Sequence, residues 1–149
     1  MDDLRSLYEE VILDHNRNPR NFNKIPRACS HSAEGNNPLC GDQFSVYLTV
    51  TDGIVEDVGF KGRGCAISKA SASLMLEAIK GKSIEDVKEL FDKTHQMLTD
   101  DSEFDDEDLG KLEALSGVKE FPMRVKCATL SWHIMNAAIH ESEKVVTTE

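Results

Sequence analysis

The sequence predicts an α+β chain: one helix, then a small antiparallel sheet, then helices to the end. Three observations carry this expectation. Leu4, Leu7, Tyr8, Val11 and Ile12 recur at helical spacing. Phe44, Val46, Leu48 and Val50 alternate, the period of a half-buried strand, and "TDG" at 51–53 signals a hairpin after them. From Cys65 to Lys80 there is neither glycine nor proline, and the pattern turns helical.

Each element has a local reason. Asp2 or Asp3 can cap the first helix, and Pro19 in "RNPRN" ends it by disfavouring helix in the residue before it. Residues 20–40 read as loop with one short strand before "GNNP". Ile54, Val58 and Phe60 belong to the second hairpin strand, with a bulge expected at Gly59. Gly81 stops the helix that starts at Cys65. Ser83 and Asp86 resemble a capping box for a helix over 84–98. Leu109, Leu112 and Leu115 mark a short helix. Pro122 suits the first turn of a last long helix running to about 143, with Met123, Cys127, Leu130, Ile134, Ala137 and Ala138 on its apolar face. Residues 1–3 and the tail from 144 are expected to fray, leaving one domain over 1–149.

Composition bounds the function classes. The chain has 149 residues, 40% hydrophobic and 30% charged, with a net charge of −10. That length supports one compact core of modest size. The acidic balance argues against nucleic acid as the main partner, because phosphate contacts want a basic surface. The opening "MDDLRSLYEEVILDH" carries acids among its apolar positions and reads as neither signal peptide nor anchor. No apolar run approaches the roughly 20 residues of a membrane helix, so the expected compartment is the cytoplasm. Seven acids fall within residues 100–108, which read as a solvated block. Calcium is the sharper alternative there, but the glycine and closing glutamate of an EF-hand loop are missing.

Four cysteines in a reducing compartment point to metal or redox chemistry more than to disulfides. Cys40 precedes a strand, Cys65 follows the glycine-flanked turn "GRG", and Cys127 lies in the first turns of the last helix. The 24 and 61 residues that intervene between them match no compact zinc finger. Local chemistry is more telling. In an extended segment Cys40 and Asp42 point to the same side, with Gly41 allowing a tight turn. Three thiolates and a carboxylate suit tetrahedral Zn²⁺. Such a site is net negative, and Lys61, Arg63, Arg124 and Lys126 supply cations just before Cys65 and Cys127. The plain alternative is a small buried hydrophobe; Cys127 on an apolar helix face fits it, while Cys40 and Cys65 fit it poorly. Cys29 reads as an incidental thiol, and His15, His31, His95, His133 and His140 as surface or core histidines.

The motifs "LYEEVILDHNRNPRN" (7–21), "NPLCGD" (37–42), "GRGCAIS" (62–68) and "FPMRVKCATLSW" (121–132) resemble the NifU/IscU-like iron–sulfur cluster assembly proteins, and most of all the SufU-type branch. The resemblance spans about residues 4–140. It implies a small antiparallel three-stranded sheet with helices packed on one face and a metal site at one end. It implies zinc on Cys40, Asp42, Cys65 and Cys127, and a SufS-type cysteine desulfurase as partner, with downstream iron–sulfur assembly machinery beyond it. Lys126 stands where the scaffold branch carries histidine, and "THQMLTDDSEFDDED" (94–108) falls where SufU-type chains have an insertion.

Three functions follow as expectations. The first is zinc-dependent sulfur transfer, with Cys40 on its loop as the persulfide acceptor and Arg124 as the electrostatic partner of its thiolate. The second is a scaffold holding a [2Fe–2S] cluster on the same ligands. The third is a structural zinc in a binding module, which the carboxylate ligand disfavours.

Overall fold

The computed structural model describes residues 2–38, 41–99, 107–140 and 145–147. Helix α1 (Asp2–Arg17) leads into strands β1 (His31–Asn37), β2 (Asp42–Thr51) and β3 (Ile54–Arg63). Helices α2 (Ala66–Ile79) and α3 (Ile84–Thr99) follow, then a 3₁₀-helical segment (Glu107–Glu120), helix α4 (Pro122–His140) and strand β4 (Val145–Thr147).

Strands β1–β3 form the expected antiparallel sheet, in the order β3-β2-β1-β4. Asp52 (φ 52°) and Gly53 (φ 76°) both take left-handed backbone at the β2–β3 turn, as a tight two-residue hairpin requires. One face of the sheet is buried. Ala33, Gly35 and Asn37 of β1 stand opposite Val46, Phe44 and Asp42 of β2. Phe44, Val46 and Leu48 are fully covered, with Val58 and Phe60 beside them on β3. Asp42 therefore belongs, by strand parity, to the core-facing row.

Two expectations about the sheet are corrected. The bulge lies not at Gly59 but where the register shifts between Thr49 and Val50, leaving Glu56 as the extra residue. Gly59 serves a close approach instead: a Cβ there would come 2.0 Å from the carbonyl oxygen of Lys24. The 18–26 loop lies against β3 at this point, with Asn23 N–H donating to the Phe60 carbonyl and Phe60 N–H to that of Asn21. The second correction is the tail. Val145–Thr147, expected to fray, pair in parallel with Glu34–Asn36 of β1.

The helices form the covering layer. Small buried residues on α2 (Ala70, Ser71, Ala72, Ser73) let its neighbours α1 and α4 come close. Ser71 Oγ donates to the Ala128 carbonyl at 2.6 Å and accepts from Trp132 Nε1 at 3.2 Å. Helix α4 is central, with Leu130, Trp132, Ile134, Met135, Ala137 and Ala138 buried. Met123, expected on its apolar face, is 60% exposed, because the first turn runs out past the packed part of the helix. Its predicted extension to 143 falls outside the described residues. Ser83 Oγ accepts from Asp86 N–H, so the anticipated cap of α3 is formed. Leu109, Leu112 and Leu115, expected on a short helix, are buried on a 3₁₀ segment kinked at Gly110. The acidic run at 100–106 lies outside the described residues. Among those described, no helix is long and apolar enough to cross a membrane.

Candidate metal centre

Three elements end at the same corner of the sheet. Strand β2 begins there with Asp42, α2 begins there after Cys65, and α4 contributes Cys127 from its second turn. Asp42, Cys65 and Cys127 bring one ligand atom each to within 4.8 Å of one another. Cys40 lies outside the described residues. Gly41, which links it to β2, has φ 71°, a conformation that favours glycine.

The local sequence explains how each side chain is held. Cys65 is the N-cap of α2 in extended conformation, and its sulfur accepts from Ser68 N–H at 3.4 Å. A thiolate here gains from the positive end of the helix. The preceding glycines make room. A Cβ on Gly64 would meet Ser68 Oγ at 2.4 Å and Asp42 Oδ1 at 2.8 Å, so this turn closes on the site only with glycine. Asp42 is 1% exposed; its Oδ1 accepts from Cys65 N–H at 2.9 Å. Its Oδ2 is buried with no hydrogen-bond partner. Cys127 is fully buried, and its Sγ accepts from Asn37 Nδ2 at 3.8 Å.

Arg124, exposed one turn before Cys127, adds the positive charge. The thiolates of Cys65 and then Cys127 push its guanidinium pKa above the usual arginine value. Lys61 and Arg63 are exposed at the end of β3, and Lys126 is half-buried on α4. Cys29 is not part of the cluster and donates weakly to the His31 carbonyl at 3.6 Å. His15 is buried, His95 and His133 are half-buried, and none joins these ligands.

The donor set fits zinc. A buried carboxylate oxygen without a partner, beside two sulfurs, is the unmet acceptor a cation would satisfy. Tetrahedral zinc with Zn–S bonds of about 2.3 Å sets ligand atoms about 3.8 Å apart. A trio already inside 4.8 Å reaches that by small side-chain shifts.

Two residues of this corner, Asn37 and Ser68, stand in the motifs "NPLCGD" and "GRGCAIS" without a role in the sequence reading. No local signal marks Asn37: its segment reads as loop until β1 places it in the core-facing row of Ala33 and Gly35. Ser68 was legible only as the third helical residue after a capping cysteine.

The family model described as "NifU-like N terminal domain" matches residues 7–128. The chain belongs to this family. It is 45% identical to the "Zinc-dependent sulfurtransferase SufU" of Bacillus subtilis over 141 residues, covering 94% of both chains. It is 37% identical to the "Iron-sulfur cluster assembly scaffold protein IscU" of Streptococcus pyogenes, covering 93% of this chain and 86% of that one. The fold matches the crystal structure of a putative iron-sulfur cluster assembly scaffold protein for the SUF system from Fervidobacterium islandicum. That match has TM-score 0.82 and 33% identity, covering 91% of this chain and 98% of the other. The NifU-like N-terminal domain of Brucella abortus, at 21% identity and TM-score 0.81, shares the fold.

Proposed function

We propose that this NifU-like chain is a zinc-dependent sulfurtransferase of iron–sulfur cluster assembly. It takes persulfide sulfur on Cys40 from a SufS-type cysteine desulfurase in the cytoplasm and stimulates that enzyme's turnover. The observation that carries the reading is the convergence of Asp42, Cys65 and Cys127 under Arg124, one residue from the segment bearing Cys40. The 45% identity to a protein named for this activity supports it.

Bound zinc would sit on Cys40, Asp42, Cys65 and Cys127 and keep the thiols deprotonated. The chain's own residues do the rest. Cys65 and Cys127, fixed by α2 and α4, and Asp42, fixed by β2, are the anchoring ligands. Cys40, the residue before Gly41 in the sequence, is the nucleophile. Its thiolate attacks the outer sulfur of the desulfurase persulfide. A new S–S bond forms on Cys40, the desulfurase S–S bond breaks, and its electron pair leaves with the desulfurase cysteine as thiolate. No external oxidant or reductant is needed. Arg124 steadies the negative charge at the thiolates through this exchange.

The test is sulfur transfer to the zinc-loaded Cys40→Ala variant, followed by mass spectrometry of the persulfide. Transfer is expected to fall to background; undiminished transfer removes Cys40 as acceptor. A second reading is favoured by the relatives named as scaffolds: the same ligands hold a [2Fe–2S] cluster. Anaerobic reconstitution separates the two. A stable, transferable chromophore supports the scaffold; about one zinc and no iron in the isolated protein supports transfer.

A further inference from the structure

We propose that Asn37 is a positioning residue of this centre. Its buried carboxamide donates to the Cys127 sulfur and holds that thiolate as a fixed, weakly nucleophilic ligand. The inference rests on the metal-binding part of the reading above, and not on the identity of the sulfur acceptor.

The geometry begins with register. Asn37 is the last residue of β1 and stands directly opposite Asp42, the first residue of β2. Strand parity turns both toward the helices, so a carboxamide and a carboxylate sit side by side at the end of the core-facing row. Asn37 is 0% exposed. Its Nδ2 lies 3.8 Å from Cys127 Sγ, within reach of an N–H···S bond. Its Oδ1 is buried and has no hydrogen-bond partner. An apolar side chain at this place would leave no such unmet acceptor, so the asparagine is costly for folding alone and its use lies in what its N–H₂ touches.

The sulfur selects that orientation. As a thiol, Cys127 donates to the Met123 carbonyl at 3.6 Å. As a thiolate it is an acceptor only, and the donors facing it become the ones that matter. Turning the carboxamide over would set a carbonyl oxygen against the sulfur lone pairs. With Nδ2 toward the sulfur, the bond draws density off the thiolate, which makes it a poorer nucleophile while fixing its position. Cys65 has its own scaffold donor in Ser68 N–H at 3.4 Å. Each of these two sulfurs therefore receives an N–H from a different, rigid element: β1 for Cys127 and α2 for Cys65.

The test uses Co²⁺ in place of zinc in the full chain, without desulfurase. Asn37→Leu keeps the approximate shape and removes the donor; Asn37→Asp keeps the shape more closely and replaces the donor with an anion. In Asn37→Leu the thiolate-to-cobalt charge-transfer band should move to lower energy, and metal affinity by chelator competition should fall about 10- to 100-fold. Asn37→Asp should lose more affinity than Asn37→Leu. A residue that only fills space would leave the band energy where it is. An unchanged band and affinity in whichever variant folds, judged by near-ultraviolet circular dichroism of Trp132, overturns the proposal. If these shifts appear while Cys40→Ala still accepts sulfur, the acceptor assignment fails and the role of Asn37 stands.

Discussion

Helix α2 carries two buried polar clusters, and they are finished differently. At its first turn, Cys65 and Ser68 meet Asp42, Asn37 and Cys127, and two buried oxygens, Asp42 Oδ2 and Asn37 Oδ1, have no partner. At its middle, Ser73 Oγ lies 2.7 Å from His15 Nδ1 and accepts from Arg20 N–H at 2.8 Å. There the open group is His15 Nε2, and Glu77 Oε1 faces it at 4.0 Å. Burial, then the charge of Arg20, holds the imidazole pKa below its ordinary value, so the ring is neutral at pH 7. The second cluster joins α1 to α2 from groups the chain already supplies. The first pools acceptors and anions in one place, a demand that a cation would meet. Buried polarity by itself does not mark a site; unmet acceptors that converge do.

The sharpest way to break this contrast is to remove one member of each cluster. Cys65→Ala should abolish stoichiometric zinc by elemental analysis. It should also remove the stabilisation that zinc confers, about 4 kcal/mol when free zinc is a thousandfold above its dissociation constant. A Cys65→Ala protein that binds zinc normally would end the distinction. His15→Ala should lose about 2–3 kcal/mol in denaturant unfolding, from the cavity and the lost Ser73–His15 hydrogen bond, with zinc binding unchanged. Metal loss in that variant would mean the two clusters are coupled through α2.

A smaller effect sharpens the same contrast through pH. His15 and His133 both have lowered pKa values, His133 through burial and then its neighbour His95. On acidification the unfolded chain takes up these protons at about pH 6.5, before the folded chain does. Stability should therefore fall as pH drops below about 6.5, until the folded groups titrate in turn. His15→Asn and His133→Asn should each flatten that slope in unfolding measured from pH 7.5 to 5.5. An unaltered slope in both would assign the acid sensitivity elsewhere.

Much of the fold is legible in the sequence because it is locally encoded. The alternation from Phe44 to Val50, the turn at Asp52–Gly53 and the Ser83 cap each act within a few residues. The misread positions depend on distant chain. Gly59 looks like a bulge until Lys24 is known to pass over it, and Val145–Thr147 look free until β1 is there to pair with them. The site divides the same way. "CGD" and "GRGC" announce unusual turns, but no spacing tells that Asp42, Cys65 and Cys127 meet. Asn37, the first residue of "NPLCGD", reads as loop until the register puts it opposite Asp42.

The loop that lies along β3 has one more effect. Through Asn21 and Asn23 it occupies the outward hydrogen-bonding groups of Phe60, and the Lys24 carbonyl fills the space above Gly59. An outermost strand with bare backbone groups is a template for another chain, and this one is blunted midway along its length. Growth of the sheet by strand addition is thereby blocked on that side.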